Sequence, residues 1–303
     1  MIRNSYFLIA CLSLLSLSLA AQDSYETGVD STGLPGDNFS LQGALEMFRQ
    51  SASPEEFERL LNTEDNHVNN LDLDGDGETD YVRVIDKMEK NTHVLILQVP
   101  VSETESQDIA TIEIEKTGES NAILQIVGDE DIYGQEVIVE PNGDEGGTAY
   151  EPSRLNHGPS MGIEQPDGII VNVWLWPSVR FVYAPAYVVW RSPWRWRAYP
   201  TWWRPWRPAG WHVFHPYQRP YRTHFVVVHT NRVAFARTMY RPVRSTSVIV
   251  HTRHEASINH YRVTRSRTTV TGPRGHSVSR TRTSVERRGS RAKATHSKTR
   301  RRR

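Results

Sequence analysis

Cysteine is almost missing from this chain: Cys11 is the only one among 303 residues. It sits inside an apolar run at residues 6–21, behind Arg3 and ahead of the small residues Ser18 and Ala20. That is the layout of a secretory signal peptide, and the run is too short to span a membrane comfortably. Cleavage is expected after Ala20 or Ala21, which leaves no cysteine at all. Disulfides, a cysteine nucleophile and thiolate metal ligands are thereby excluded. A lipoprotein reading of Leu8-Ile9-Ala10-Cys11 is the alternative, but apolar sequence continues past Cys11.

Acids are the second scarcity, and it is local. Residues 169–303 contain 2 acids, Glu255 and Glu286, against 28 Lys+Arg, so 28 − 2 = +26. Residues 22–168 contain 33 Asp+Glu against 7 Lys+Arg, so 7 − 33 = −26. The overall charge of +1 conceals this. Such asymmetry implies a charged partner or mutual neutralisation of the halves. Lysine is scarce too: 26 of the 28 bases in the second half are arginine. Solubility alone would not need the planar guanidinium fork, which matches phosphate, sulfate and carboxylate groups. Tryptophan is absent from the acidic half, and all nine lie between Trp174 and Trp211.

The pattern divides the chain into a signal peptide (1–21), a Gly/Ser/Asp-rich linker (22–37), an acidic α+β domain (38–141) and a loop or linker (142–168). A basic Trp/Arg-rich β and irregular region (169–285) and a disordered basic tail (286–303) follow. Ser40 can cap a helix with Leu41, Ala44, Leu45 and Phe48 on one face. Ser53 can cap a second, with Pro54 at its first position, Glu56 closing a capping box, and Phe57, Leu60 and Leu61 apolar. Beyond Asn62 the period becomes two, and strands are expected at 68–71, 81–85, 93–101, 109–115, 122–127 and 137–140. In 109–115, Ala110, Ile112 and Ile114 alternate with Thr111, Glu113 and Glu115. This predicts an antiparallel meander with helices on one face and water on the other. In the basic region, Pro193, Pro200, Pro205 and Pro208 exclude a regular helix or central strand. Segments 225–228, 247–250, 261–271 and 276–285 are strand-like, the last two forming a β-hairpin.

The sharpest motif is Asp72-Leu73-Asp74-Gly75-Asp76-Gly77-Glu78-Thr79-Asp80. Carboxylates at Asp72, Asp74, Asp76 and Asp80, a glycine at Gly77 and the backbone carbonyl of Glu78 match the first nine positions of an acidic calcium loop. Arg83 stands where an EF-hand needs a bidentate Glu, so a further ligand would come from Glu64, Asp65 or Asp86. Four carboxylates within nine residues repel each other, which favours a cation. The alternative is an Asp/Gly-rich turn that binds nothing. Gly158-Pro159-Ser160-Met161-Gly162 satisfies G-x-S-x-G, but loop residues flank it where a nucleophile elbow needs a strand and a helix. His212/His215 and His251/His254 are pairs with no carboxylate between Gly168 and Glu255 to complete or orient a metal site; packed or surface imidazoles are expected.

The block Arg191, Trp194, Arg195, Trp196, Arg197, Trp202, Trp203, Arg204, Trp206 and Arg207 admits three readings. Its aromatics could form a small core, lie at a membrane interface, or stack on an anionic polymer.

With its strand-like flanks, DLDGDGETDYVRV resembles the strand-loop-strand calcium loops of FG-GAP and VCBS-type repeats, over about fifteen residues and in one copy. The Trp/Pro/Arg block is similar to short membrane-active peptides of that composition. The whole pattern, with QVPVSETESQDIATIEIEKTG, resembles uncharacterised exported proteins of Gram-negative bacteria. That likeness implies location in the periplasm or outer envelope and carries no activity with it. The expectation is a non-enzymatic envelope protein with calcium as candidate cofactor. Its basic region would attach to lipopolysaccharide, other envelope glycans, extracellular DNA or a membrane surface. The rivals are a structural polyampholyte whose halves pair within or between chains, and a serine hydrolase using Ser160.

Overall fold

Two serines start the helices. Ser40 Oγ accepts a bond from Gly43 N at 3.0 Å, and α1 (Leu41–Gln50) follows with Leu41, Ala44, Leu45 and Phe48 buried. Ser53 Oγ accepts from Glu56 N at 3.2 Å, with Pro54 opening α2 (Pro54–Leu61). The return bond of this capping box goes to the Ala52 N–H, which donates to Glu56 Oε2 at 2.8 Å. The two helices meet through Phe48 and Phe57, edge to face at 5.2 Å between ring centres.

The computed structural model describes residues 31–143, 170–271, 277–287 and 294–301. The expected signal segment and the Gly158–Gly162 motif lie outside them. β1 (Arg83–Glu89), β2 (Thr92–Pro100), β3 (Ser106–Gly118) and β4 (Asn121–Gly128) form an antiparallel meander. The short helix α3 (Glu130–Tyr133) leads to β5 (Val137–Pro141), which continues it. The strand expected at 68–71 does not form; Asn69 makes a single bridge to Phe39. Side-chain bonds take the place of a ladder: Asn69 Nδ2 donates to Asp80 O at 2.7 Å, and Leu71 N donates to Asn69 Oδ1 at 3.1 Å.

The basic half supplies the sixth strand. After α4 (Pro177–Val182) and α5 (Trp211–Tyr217), β6 (Phe225–Val228) pairs antiparallel with β5, placing Pro141 opposite Phe225 and Ile138 opposite Val228. Residues 190–192 run along the outer edge of β1, where Asp86 N donates to Trp190 O at 2.9 Å and Ser192 N to Val84 O at 3.0 Å. An exposed strand edge is thereby covered. Between 183 and 210 the chain has only turns and isolated bridges, consistent with its prolines.

Each sheet face has its own core. Leu95, Leu97, Ile112, Ile114 and Ile126 pack with α1 and α2, and Val171, Val173, Val179 and Val182 join them from the second half. Alternation predicts that the other face is wet, and it is not. Val94 and Ile96 pack there against Val233 and Ala236, the latter in α6 (Ala234–Tyr240). Thr111 and Glu113 on that face are 1% and 2% exposed. Alternation in β3 marks two faces correctly, but the cover for the polar one comes from more than a hundred residues further along the chain.

Residues 247–250 also depart from the strand expected of them. Ser247 Oγ accepts from Val250 N at 3.2 Å, and Ser247 O accepts from His251 N at 3.0 Å, so α7 (Val248–His260) begins here. The cap overrides the β-branched propensity of Val248, Ile249 and Val250. A separate sheet holds β7 (Tyr261–Thr271), β8 (Ser277–Arg287) and β9 (Ala294–Arg301), each antiparallel to the next. β9 falls in the tail expected on composition to be disordered. Among the described residues no helix is long and apolar enough to cross a membrane.

Candidate functional site

The acidic loop precedes β1 and is shaped by its own side chains. Gly75 and Gly77 adopt φ of 70° and 85°, the left-handed region where glycine carries no steric penalty. Gly77 N donates to Asp72 Oδ2 at 3.1 Å, Asp76 N to Asp74 Oδ1 at 3.1 Å and Glu78 N to Asp76 Oδ1 at 2.9 Å. These bonds turn three carboxylates inward, so that Asp72, Asp74 and Asp76 each bring an oxygen within 4.8 Å of the others. Hard, oxygen-only donors at that spacing suit a calcium ion better than a transition metal.

The remaining expected ligands are placed differently. Asp80 is buried outside the triad and fastens the loop, its Oδ2 accepting from Leu73 N at 2.5 Å. Burial raises its pKa well above the ordinary carboxylate value, and Asp74, Asp72 and Asp76 add to the rise. Asp74 is also raised, first by burial and then by Asp76 and Asp72, against the bonds from Asp76 N and the Trp196 indole. Glu78 is exposed. Asp86 is not available as a further ligand. It is buried against His93, whose Nδ1 lies 2.9 Å from Asp86 Oδ2, and Tyr187 OH donates to the same oxygen at 2.8 Å. Glu64 and Asp65 occupy an exposed turn.

Helix α7 and the tryptophan block touch this loop at Gly75 and Thr79, leaving Asp76, Gly77 and Glu78 exposed. The Arg253 guanidinium lies on Gly75 so tightly that a Cβ there would come within 1.9 Å of Nη1. Thr79 N donates to Trp206 O at 2.7 Å. The histidine pairs gather no metal set among the described residues. His212 and His251 are exposed, and His215 packs on Trp211 with ring centres 4.3 Å apart. His254 is half-buried, and burial followed by Arg253 lowers its pKa while Asp72 opposes.

The ten residues of the Trp/Arg block divide by burial. Trp203 is 3% exposed and packs edge-on against Tyr81 at 5.1 Å and Tyr199 at 4.6 Å, so it is a core residue and not an interface one. Trp202 is 49% exposed, and Trp194, Trp196 and Trp206 are half-buried. The Arg197 guanidinium sits 4.3 Å from the Trp196 ring centre. Arg191, Arg195, Arg197, Arg204 and Arg207 are all exposed. None of the five has a carboxylate partner among the described residues; Arg204 donates to the Thr201 and Trp203 carbonyls.

Arginines further along the chain behave oppositely. Arg232 Nε lies 2.8 Å from Glu140 Oε1, and Arg237 Nη2 lies 2.8 Å from Glu136 Oε1. Arg244 forks onto Asp129 and Asp131, each at 2.6 Å. Its pKa rises further above its ordinary value, first through the Asp129 bond.

Composition pointed to none of the buried acids that join the halves. Glu58 Oε1 accepts from Tyr81 OH and Ser192 Oγ, both at 2.9 Å, and Oε2 accepts from Val84 N at 2.8 Å. Asp108 Oδ2 accepts from Ser245 N at 2.8 Å and Tyr240 OH at 3.1 Å. Their sequence neighbourhoods carry no signal, because the partners from the other half, Ser192, Tyr240 and Ser245, lie more than a hundred residues away.

Compared with models of protein families, with curated proteins and with solved structures, the chain matches none of them.

Proposed function

We propose that this chain is a non-enzymatic, exported envelope protein that attaches to an anionic polymer or membrane surface through the Arg191–Arg207 block. One observation carries the reading. Arginines whose charge is used internally cluster at 232–244, whereas Arg191, Arg195, Arg197, Arg204 and Arg207 are exposed, lack carboxylate partners among the described residues and are interleaved with part-exposed tryptophans. Guanidinium supplies forked bonds to phosphate, sulfate or carboxylate, and indole supplies a stacking or interfacial surface. Calcium in the Asp72–Asp74–Asp76 loop would brace the ground on which Trp196 and Trp206 rest. Lipopolysaccharide, acidic glycans, DNA and anionic lipid share the chemistry this face would recognise.

The test is binding of the full chain to lipopolysaccharide, DNA and anionic vesicles over a range of salt. Affinity should fall steeply as salt rises, because paired phosphates release counterions. Replacing all five arginines by Gln should remove most of that slope, and Trp202→Ala should remove affinity that persists at high salt. Failure to bind any of the three at low salt would sink the reading.

A second reading is that the opposite charges serve the fold itself. The pairs Arg232–Glu140, Arg237–Glu136 and Arg244–Asp129 support it, since each joins the basic half to the acidic half within one chain. If the five-arginine variant binds as the parent does, this reading takes precedence.

A further inference from the structure

Between Arg180 and Arg191 the chain runs for ten residues, Phe181 to Trp190, without a charge. Its side chains sort by direction. Val182 is buried and Tyr183, Tyr187 and Trp190 are half-buried, whereas Phe181 is 44% exposed, Val188 83% and Val189 44%. Ala184, Pro185 and Ala186 are exposed with them. We propose that this loop is a membrane-inserting lobe: Phe181, Val188 and Val189 enter the acyl boundary of an anionic phospholipid bilayer, and Arg180 and Arg191 hold phosphate headgroups beside it.

The exposure is held in place from beneath. Tyr183 OH donates to Asn91 O at 2.8 Å, Tyr187 OH donates to Asp86 Oδ2 at 2.8 Å, and Trp190 O accepts from Asp86 N at 2.9 Å. The two arms of the loop meet where Phe181 packs edge-on against Tyr187, ring centres 5.7 Å apart. With the polar ends of the aromatic residues committed to the sheet, the aliphatic ones are left outward. Single exposed apolar residues are ordinary, but several gathered on one loop mark a contact surface.

What the lobe lacks selects the partner. The outward side chains of Phe181, Ala184, Pro185, Ala186, Val188 and Val189 carry no hydrogen-bonding group. A protein interface carries one hydrogen bond for roughly every 100–200 Å², whereas the acyl boundary of a bilayer asks for none. Backbone amides are the remaining cost in lipid, and several are already used within the loop. Ala184 N donates to Phe181 O at 3.1 Å, Tyr187 N to Ala184 O at 2.9 Å and Trp190 N to Tyr187 OH at 3.1 Å, while Pro185 has no N–H to satisfy. Arg180 and Arg191 are exposed and have no carboxylate partner among the described residues. At the neighbouring β1–β2 turn, the acids Glu89 and Glu115 are outnumbered by Lys87, Lys90 and Lys116. An apolar tip, aromatic rings beneath it and cations beside it match the layering of acyl chain, interface and headgroup phosphate. Insertion of this kind reaches about 5–10 Å and needs no spanning helix.

This inference rests on the proposed arginine face, which it commits to a lipid surface, and the two can fail separately. The probe is an environment-sensitive fluorophore on Val188→Cys in the full chain carrying Cys11→Ser, which leaves one thiol. It reports entry of the lobe itself, whatever the apolar run at 6–21 does. The titrants are mixed phosphatidylglycerol and phosphatidylcholine vesicles, vesicles of phosphatidylcholine alone, and heparin, a polyanion without acyl chains. Emission should shift to the blue on the anionic vesicles and be quenched by bromine on their acyl chains, while heparin binds and leaves it unmoved. Without the label, Val188→Ser with Val189→Ser should lower partitioning into anionic vesicles roughly tenfold and leave heparin affinity unchanged. Both positions are exposed, so the fold should tolerate the change. Vesicle association with an unshifted label would overturn the lobe and leave the arginine face standing, as would heparin binding without vesicle association. An equal shift on phosphatidylcholine alone would overturn the headgroup role of Arg180 and Arg191. No association with any of the three at low salt would overturn both readings. A blue shift without lipid that grows with protein concentration would also overturn the lobe, because a second copy of the chain would then be its cover.

Discussion

Acid should stabilise this protein, an unusual direction that follows from buried carboxylates, Asp80 and three others among them. Burial is the first cause in each case: it pushes Glu58 up from 4.5 to about 6, Asp108 from 3.8 to about 6, and Glu113 from 4.5 to about 7. None of these last three is more than 2% exposed, so solvent screening does little to reduce the effect. A group with a raised folded pKa binds its proton more tightly folded than unfolded. Its contribution is therefore favourable at low pH and is lost as pH rises from about 4 through 7. A folded pKa one pH unit above the unfolded one is worth about 1.4 kcal/mol, which gives about 2 kcal/mol for Glu58 and about 3 kcal/mol each for Asp108 and Glu113. Glu46 and Glu105, whose pKa values are lowered, act the other way, as does His254. A net loss of roughly 4 kcal/mol between pH 5 and 8 would lower Tm by on the order of 10 °C in a protein of this size. The assay is thermal unfolding by circular dichroism from pH 5 to 8, on the parent and on Glu113→Gln. The variant should gain about 3 kcal/mol at pH 8, almost nothing at pH 5, and show a shallower slope. A Tm that is flat or rises with pH, or an identical slope in the variant, would refute the reasoning.

Calcium at millimolar concentration should raise the Tm of the full chain by mass action, and Asp74→Ala combined with Asp76→Ala should abolish that rise; no calcium effect would leave the loop as an acidic turn. Arg244→Met should cost roughly 3 kcal/mol in urea unfolding, because Asp129 would stay buried without its cation; a loss below about 1 kcal/mol would mean the clamp is ornamental to stability. Protein recovered from cell envelopes should have an intact mass beginning at Ala21 or Gln22, and recovery only with Met1 retained would contradict export.

Local signals are the legible ones. Ser40 and Ser53 announce their helices, and alternation locates β2 to β5, because caps and pleats are written within a few residues. The same rule explains the errors. At Ser247 a cap is present, but the β-branched run behind it argues for a strand. At 68–71 the apolar spacing suggests a strand, yet Asn69 and Asn70 divert the backbone into side-chain bonds, Asn70 Nδ2 reaching Ala209 O at 2.9 Å. Alternation places Glu113 in water because it reports that a face differs, not what lies on it. Its cover, Val233 and Ala236, stands where no local pattern could connect it to β3.

The candidate sites divide along the same line. The acidic loop is readable because its donors fall within nine residues, and the triad of Asp72, Asp74 and Asp76 is indeed a local object. The Trp/Arg block is readable as composition but not as geometry. Which tryptophans face outward depends on Tyr81 and Tyr199, which capture Trp203 and leave Trp202 exposed. The division of labour among arginines is likewise tertiary. An arginine is taken up internally only where a carboxylate waits at reach, and Asp129, Asp131, Glu136 and Glu140 all sit at or near the ends of β4 and β5. The run from Arg191 to Arg207 instead passes the edge of β1 and the loop ahead of it. Along the β1 edge Glu58 is committed to Tyr81, Ser192 and Val84, and Asp86 to His93 and Tyr187, while Asp72, Asp74 and Asp76 of the loop accept from the loop's own backbone. Equal and opposite charge in the two halves thus does not bring equal pairing. The surplus of unpaired guanidinium on one face is a consequence of where the sheet puts its acids, and that surplus is what an anionic partner would meet.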